Sequence, residues 1–118
     1  MKEYIVFVYG TLKKGFRLHS YLNNAKFLGE GFVKGYDMYL VDWYPAIVKG
    51  KGTVYGEIYS IDEDTLEILD KVEDEGFLYK RVKEKIYMKN GKTVEGYIYV
   101  YLKGVEGLKP IIDGVFSG

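Results

Sequence analysis

The 118-residue chain predicts an α+β fold, a small mixed β-barrel of about six strands with two short helices packed against it. Three observations lead there. Strand-like segments outnumber helical ones. Two of the strands, Tyr4 to Tyr9 and the end of Val94 to Leu102, are apolar on both faces and need cover on both sides. Glycines recur inside the β-like sequence after residue 26, as they do at bends and barrel corners.

The elements follow in chain order. Tyr4 to Tyr9 is an unbroken apolar and β-branched run that stops at Gly10, so it reads as a buried central strand ending in a turn. Phe16 to Asn24 reads as a short helix, with Leu18, Tyr21 and Leu22 on one face and the Asn pair as its stop. Lys26 to Val41 reads as strand, bulge or bend, then strand, around Gly29, Gly31 and Gly35. Asp42 to Pro45 is a turn into a short strand at Ala46 to Val48. Gly50-Lys51-Gly52 turns the chain again before a strand from Thr53 to Ile61.

The clearest helix starts after Asp62, which can cap it, with Glu63 and Asp64 suited to the positive first turn. Leu66, Leu69 and Val72 recur at helical spacing, and Gly76 is a natural stop. Tyr79 to Met88 alternates as a strand. Asn90-Gly91 supplies the hairpin turn to the returning strand Val94 to Leu102. The tail after Lys103, with its glycines and Pro110, reads as irregular. With no repeat, linker or low-complexity segment, residues 1–118 are expected to form a single domain.

Composition narrows the function. Hydrophobic residues make up 47% and charged residues 29%, which predicts an ordinary folded protein. Net charge is zero and the signs are mixed along the chain, so neither a nucleic-acid surface nor a membrane patch is expected. The absence of cysteine excludes disulfides, thiol nucleophiles and Cys-based zinc sites. A single histidine, His19, argues against a histidine metal site or a Ser-His-Asp triad. No apolar stretch approaches membrane-spanning length and the start lacks the apolar core of a signal peptide, so a cytoplasmic protein is expected. The richness in Lys, Glu, Tyr and Ile without Cys or Gln predicts a thermophilic source.

Two regions offer chemistry. A strand ending in Tyr9-Gly10-Thr11-Leu12 leaves backbone N–H groups without ladder partners. These groups can meet a carboxylate or an oxyanion, and Gly10 has no Cβ to obstruct a ligand. Glu73 lies at the C-terminal end of the second helix, where the macrodipole disfavours a negative charge, and Asp74 and Glu75 follow it. Each effect, and any burial, raises its pKa towards the range of a general base. The alternative is a solvated acidic helix end. Glu57 interrupts an apolar strand and points either out to solvent or into the barrel as a buried acid. Asp70, one turn before Glu73, faces solvent or braces the helix end. Arg81 can clamp a carboxylate bidentately or pair with a nearby acid. Tyr79 and Tyr101 can line a pocket or fill the core. His19 can hydrogen-bond the glycine turn or simply pack. Thr11 has no partner base and is not N-terminal, which argues against a nucleophile.

Taken together, Phe7-Val8-Tyr9-Gly10-Thr11-Leu12-Lys13-Lys14-Gly15 with His19 resembles the opening of the γ-glutamylcyclotransferase-like (AIG2-like) family, closest to its γ-glutamylamine cyclotransferase branch. Tyr44-Pro45-Ala46-Ile47, Gly56-Glu57-Ile58-Tyr59, Asp62, Leu69-Asp70, then Glu73, Tyr79 and Arg81 continue the resemblance in order over roughly the first 100 residues. The tail matches weakly. The resemblance implies a small barrel with an anion-binding cavity and catalysis by one glutamate, here Glu73, with no cofactor or metal. It also implies that Tyr9, Gly10, Thr11, Leu12, Tyr79 and Arg81 bind a small-molecule γ-glutamyl substrate. The implied reaction cyclises a γ-glutamyl amine or amino acid to 5-oxoproline and a free amine. The rival expectation is a non-catalytic protein holding a small anion in the same cavity. Sequence gives no oligomeric state.

Overall fold

A computed structural model describes residues 2–118; Met1, the first residue of the expected domain, lies outside them. The first strand, β1 (Tyr4–Val8), is the centre of the molecule. It pairs antiparallel with β3 (Pro45–Ile61) on one side and parallel with β5 (Thr93–Tyr101) on the other. β5 pairs antiparallel with β4 (Tyr79–Met88), and β4 with β2 (Lys26–Leu40). Because β2 also pairs with β3, the strands close into a mixed five-stranded barrel. A sixth strand, β6 (Lys109–Ile111), extends the far end of β2.

Alternation along β1 explains why its sequence is apolar throughout. Phe7 and Tyr9 belong to the barrel interior with Tyr36, Met38, Ile58, Ile86 and Ile98. Val6 and Val8 belong to a second buried layer with Leu22, Leu66 and Leu69. That second layer lies beneath helix α1 (Glu63–Val72) and a one-turn 3₁₀ helix (His19–Leu22). The barrel seam between β2 and β4 is narrow, with only Gly31↔Met88 and Phe32↔Tyr87 in register. A Cβ on Gly31 would fall 2.3 Å from the Tyr87 carbonyl oxygen, so closure depends on glycine there.

Three segments depart from the sequence expectation, each for a local reason. The helix expected over Phe16 to Asn24 is only the 3₁₀ turn. Backbone hydrogen bonds there span three residues, as in Phe16 N–H to Lys13 and His19 N–H to Phe16, while Leu18 N–H is drawn instead to the Thr11 carbonyl. The turn expected at Gly50-Lys51-Gly52 is absent, and β3 runs through it. Those glycines make room for Asp37 on the neighbouring strand, whose carboxylate accepts from Gly52 N–H at 3.0 Å and would lie 2.1 Å from a Cβ on Gly50. The tail after Lys103, expected to be irregular, supplies β6, which pairs with Met38 to Leu40, whereas the bulge expected in β2 is present as two register shifts, between Phe27 and Gly29 and between Lys34 and Tyr36.

Helix α1 begins as expected: the Asp62 carboxylate accepts from Thr65 N–H at 2.8 Å. Removing that acceptor in Asp62→Ala should destabilise the protein modestly, read as a lower urea midpoint with an unchanged slope. The helix ends at Val72, with Glu73 as its C-terminal cap and Asp74 in the left-handed region at φ 52°. Asp74 is thus the first left-handed residue after the helix, a conformation that Asp tolerates better than most non-glycine residues, and Gly76 follows at φ 92°, using the freedom expected of a glycine stop.

Candidate active site

Where β1 runs out, a cavity of about 150 Å³ lies among the β1 loop, the β2–β3 connection and the end of α1. Phe7 through Leu12 form one wall, Trp43, Tyr44 and Pro45 a second, and Val72, Glu73 and Leu78 a third, with Tyr79 and Tyr99 also in the lining. Six of the seven expected site residues therefore converge on one cavity: Tyr9, Gly10, Thr11, Leu12, Glu73 and Tyr79.

The loop is a turn closed by Lys13 N–H to the Gly10 carbonyl at 3.0 Å and tied back by Leu18 N–H to Thr11. Among the described residues, the N–H groups of Gly10, Thr11 and Leu12 have no protein acceptor, although Thr11 and Leu12 are buried. Three unpartnered donors beside a cavity offer a cradle for negative oxygen. Gly10 is required for a reason its sequence context hides: a Cβ there would fall 2.7 Å from the Pro45 ring.

Several side chains brace this loop. The Glu57 carboxylate accepts from Lys14 N–H at 3.0 Å and from the Tyr59 hydroxyl at 2.9 Å, so Glu57 holds the loop from outside the cavity lining. The His19 ring bonds the Leu12 carbonyl at 2.9 Å. The buried Lys13 ammonium donates to the Phe116 carbonyl at 2.7 Å, and burial lowers its pKa. That contact gives the tail a role: it anchors the loop from below, with Phe116 seated in the barrel core.

Glu73 is half-buried, and burial pushes its carboxyl up to about 7. Of the three causes the sequence offered, helix dipole, acidic neighbours and burial, desolvation by burial is the one that acts here. Two of the tyrosine hydroxyls in the lining are committed elsewhere. Tyr9 donates to the Tyr99 carbonyl at 2.7 Å, and Tyr79 to the Pro45 carbonyl at 2.8 Å. Burial, with Glu73 contributing for both, raises the pKa values of these two phenols well above the usual tyrosine range. Both therefore serve as neutral walls, and Glu73 is the lining group that titrates near neutrality.

Arg81, the seventh expected residue, lies outside the lining. Its guanidinium pairs with Asp70 at 2.6 Å, and Asp70 also accepts from the Tyr99 hydroxyl at 2.7 Å. Arg81 thus fixes the end of α1 to the barrel, and Asp70 is the brace. Tyr101 packs on Tyr79 with ring centroids 5.4 Å apart, one layer behind the cavity. The sequence reading missed Leu18, Trp43, Val72, Leu78 and Tyr99 as lining. The Asp-Trp-Tyr-Pro turn was the available signal for Trp43.

A protein-family model described as Gamma-glutamyl cyclotransferase, AIG2-like, matches residues 6–117. The chain is 38% identical over 109 residues to the γ-glutamylcyclotransferase family protein YtfP of Escherichia coli K12, spanning 92% of each. A Methanocaldococcus jannaschii relative is 42% identical over 100 residues, 81% of this chain and 82% of its own. Among solved structures, an AIG2-like protein from Mus musculus superimposes with a TM-score of 0.83 at 28% identity, covering 90% of this chain and 82% of that one. An uncharacterised Pyrococcus horikoshii protein gives 0.78 at 37% identity, covering 95% and 88%.

Proposed function

Because the chain belongs to the AIG2-like γ-glutamyl cyclotransferase family, we propose that it cyclises γ-glutamyl amines or amino acids to 5-oxoproline and a free amine, with Glu73 as the proton carrier. The observation that carries this reading is Glu73 itself. It is a half-buried carboxyl with a pKa of about 7, lining the same small cavity as three unpartnered backbone N–H groups.

The substrate brings its own nucleophile. Its α-amine is tethered to the γ-carbonyl it attacks, and held in that geometry the reaction gains the large effective concentration of an intramolecular closure. The substrate's α-ammonium shares its carbon with a free carboxylate and so titrates above the roughly 8 of a peptide terminus; a carboxyl raised to about 7 narrows the gap that an ordinary glutamate would leave, which favours Glu73 as the proton acceptor. Glu73 takes one proton from the α-ammonium, the nitrogen bonds to the γ-carbon, and a tetrahedral oxyanion forms. As the bond to the leaving nitrogen breaks, Glu73 returns this proton to it, and the ring nitrogen, which still carries two hydrogens, gives up the second to solvent or to the released amine, which departs as an ammonium. The N–H groups of Gly10, Thr11 and Leu12 are available to the substrate's carboxylate or to the oxyanion as charge develops. No atom of the protein becomes covalently attached.

The test is release of 5-oxoproline by the purified protein from a panel of γ-glutamyl amines and γ-glutamyl amino acids. Turnover of any member establishes the reaction. A folded protein that turns over none sinks it. Glu57 discriminates bracing from catalysis. Glu57→Gln keeps the oxygen that accepts from Lys14 and Tyr59 and should keep kcat within about threefold, because a small change in neutral hydrogen bonding is all it imposes. Gly10→Ala, which drives a methyl into Pro45, should lower kcat/KM by about tenfold through displacement of the loop, measured with the same assay.

A further inference from the structure

The rim of the cavity carries two groups that the cyclisation does not use. Trp43 lines the cavity yet remains 48% exposed. Its ring meets Tyr44 edge-on at 5.0 Å, and the Arg17 guanidinium lies 4.3 Å over it. Arg17 is exposed, and among the described residues no carboxylate stands within ion-pair distance of it. Asp42, adjacent to Trp43 in the chain, makes no ion pair with it either. The chain's other arginine is its opposite: Arg81 is committed to Asp70.

Glu73 and the loop N–H groups occupy the walls of the cavity, so the γ-glutamyl head must face them. The departing amine is then the part of the substrate left to reach the rim. There it meets a cation already positioned on an aromatic plate. A guanidinium presents its N–H groups as a planar fork that matches a carboxylate, and the indole restrains the side chain that would otherwise lose entropy on binding. Resting on the cyclotransferase reading, we propose that Arg17 and Trp43 form a leaving-group subsite. It selects γ-glutamyl amides whose departing amine bears a carboxylate, that is, γ-glutamyl amino acids, over those that release a neutral or cationic amine.

The site is exposed, so its selectivity is that of a solvent-screened charge pair, about fivefold. It holds the substrate before and during reaction alike, so the effect belongs in KM. The test compares 5-oxoproline release from γ-glutamylalanine and γ-glutamylethylamide, which differ essentially by one carboxylate. The wild type should favour γ-glutamylalanine about fivefold in kcat/KM, mainly through KM, and high salt should erode the preference. Arg17→Met should bring the ratio close to one, Arg17→Lys should keep part of it, and Trp43→Leu should weaken it by loosening Arg17. A wild-type ratio of one, or an Arg17→Met ratio equal to that of wild type, overturns the subsite. In either case the cyclotransferase reading stands, because both substrates still yield 5-oxoproline. Failure of the folded wild type to release 5-oxoproline from either substrate overturns both together.

Discussion

Glu73→Gln should lower kcat for 5-oxoproline formation by about 10²- to 10⁴-fold, the usual contribution of a positioned general base, while KM changes little. Glutamine keeps the size and the hydrogen-bonding oxygen of the side chain, so the cavity persists; what it loses is the ability to accept a proton. Glu73→Asp should fall between the two, because the carboxylate remains but is withdrawn by one methylene from the loop it faces. The pH profile provides an independent check. Only the ionised form can take the proton from the α-ammonium, so wild-type kcat/KM should rise with pH through about 7 and then level until other groups intervene. A Gln variant within about threefold of wild type, or a profile flat from about pH 5.5 to about 8, would remove Glu73 from the mechanism.

The sequence carried the site better than it carried the strands around it. Gly10, Glu73 and Tyr79 were legible because each interrupts or bounds a periodic pattern: a glycine ending an apolar run, an acid at a helix terminus, an aromatic starting a strand. Arg81 was open to two readings, a clamp for a carboxylate or the partner of an acid, and the structure pairs it with an acid distant in sequence. Nothing in an alternating strand announces that Asp70, on a helix 11 residues earlier, will take its charge. The glycines at 50 and 52 were misread for a related reason. Glycine marks a turn when the backbone needs left-handed freedom, and it marks a crowded strand when a neighbour needs room. Neither Gly50 nor Gly52 adopts a positive φ, and Asp37 fills the space a side chain would occupy. Only the pairing of β2 with β3 decides between the two meanings. Phe116 was invisible for want of context too, since one aromatic in a glycine-rich tail has no periodicity to signal burial.

The same substitution that slows turnover should make the protein more stable at alkaline pH. Folding raises the Glu73 carboxyl from 4.5 to about 7, so the fold disfavours its charged form. Between those values the folded chain retains a proton that the unfolded chain has released. Stability attributable to this group is therefore fully present below about pH 4.5, declines as pH rises towards 7, and stays lost above it. Glutamine cannot ionise and bears no such cost. Glu73→Gln and wild type should unfold at similar urea concentrations near pH 4.5. By pH 8 the variant should be ahead by about 2 kcal/mol, a value below the full pKa difference because the carboxylate is only half-buried and partly screened by solvent. Taking the difference between the two proteins at each pH cancels the other titrations they share. A difference independent of pH from about 4.5 to about 8 would mean that the carboxyl is not desolvated, and its tuning as a base would fail with it. A stability gain that appears over the same pH range in which wild-type activity rises would tie both effects to one proton on Glu73. The cavity would then be destabilised by the charge it needs for catalysis, as expected where an active site holds an ionisable group away from water.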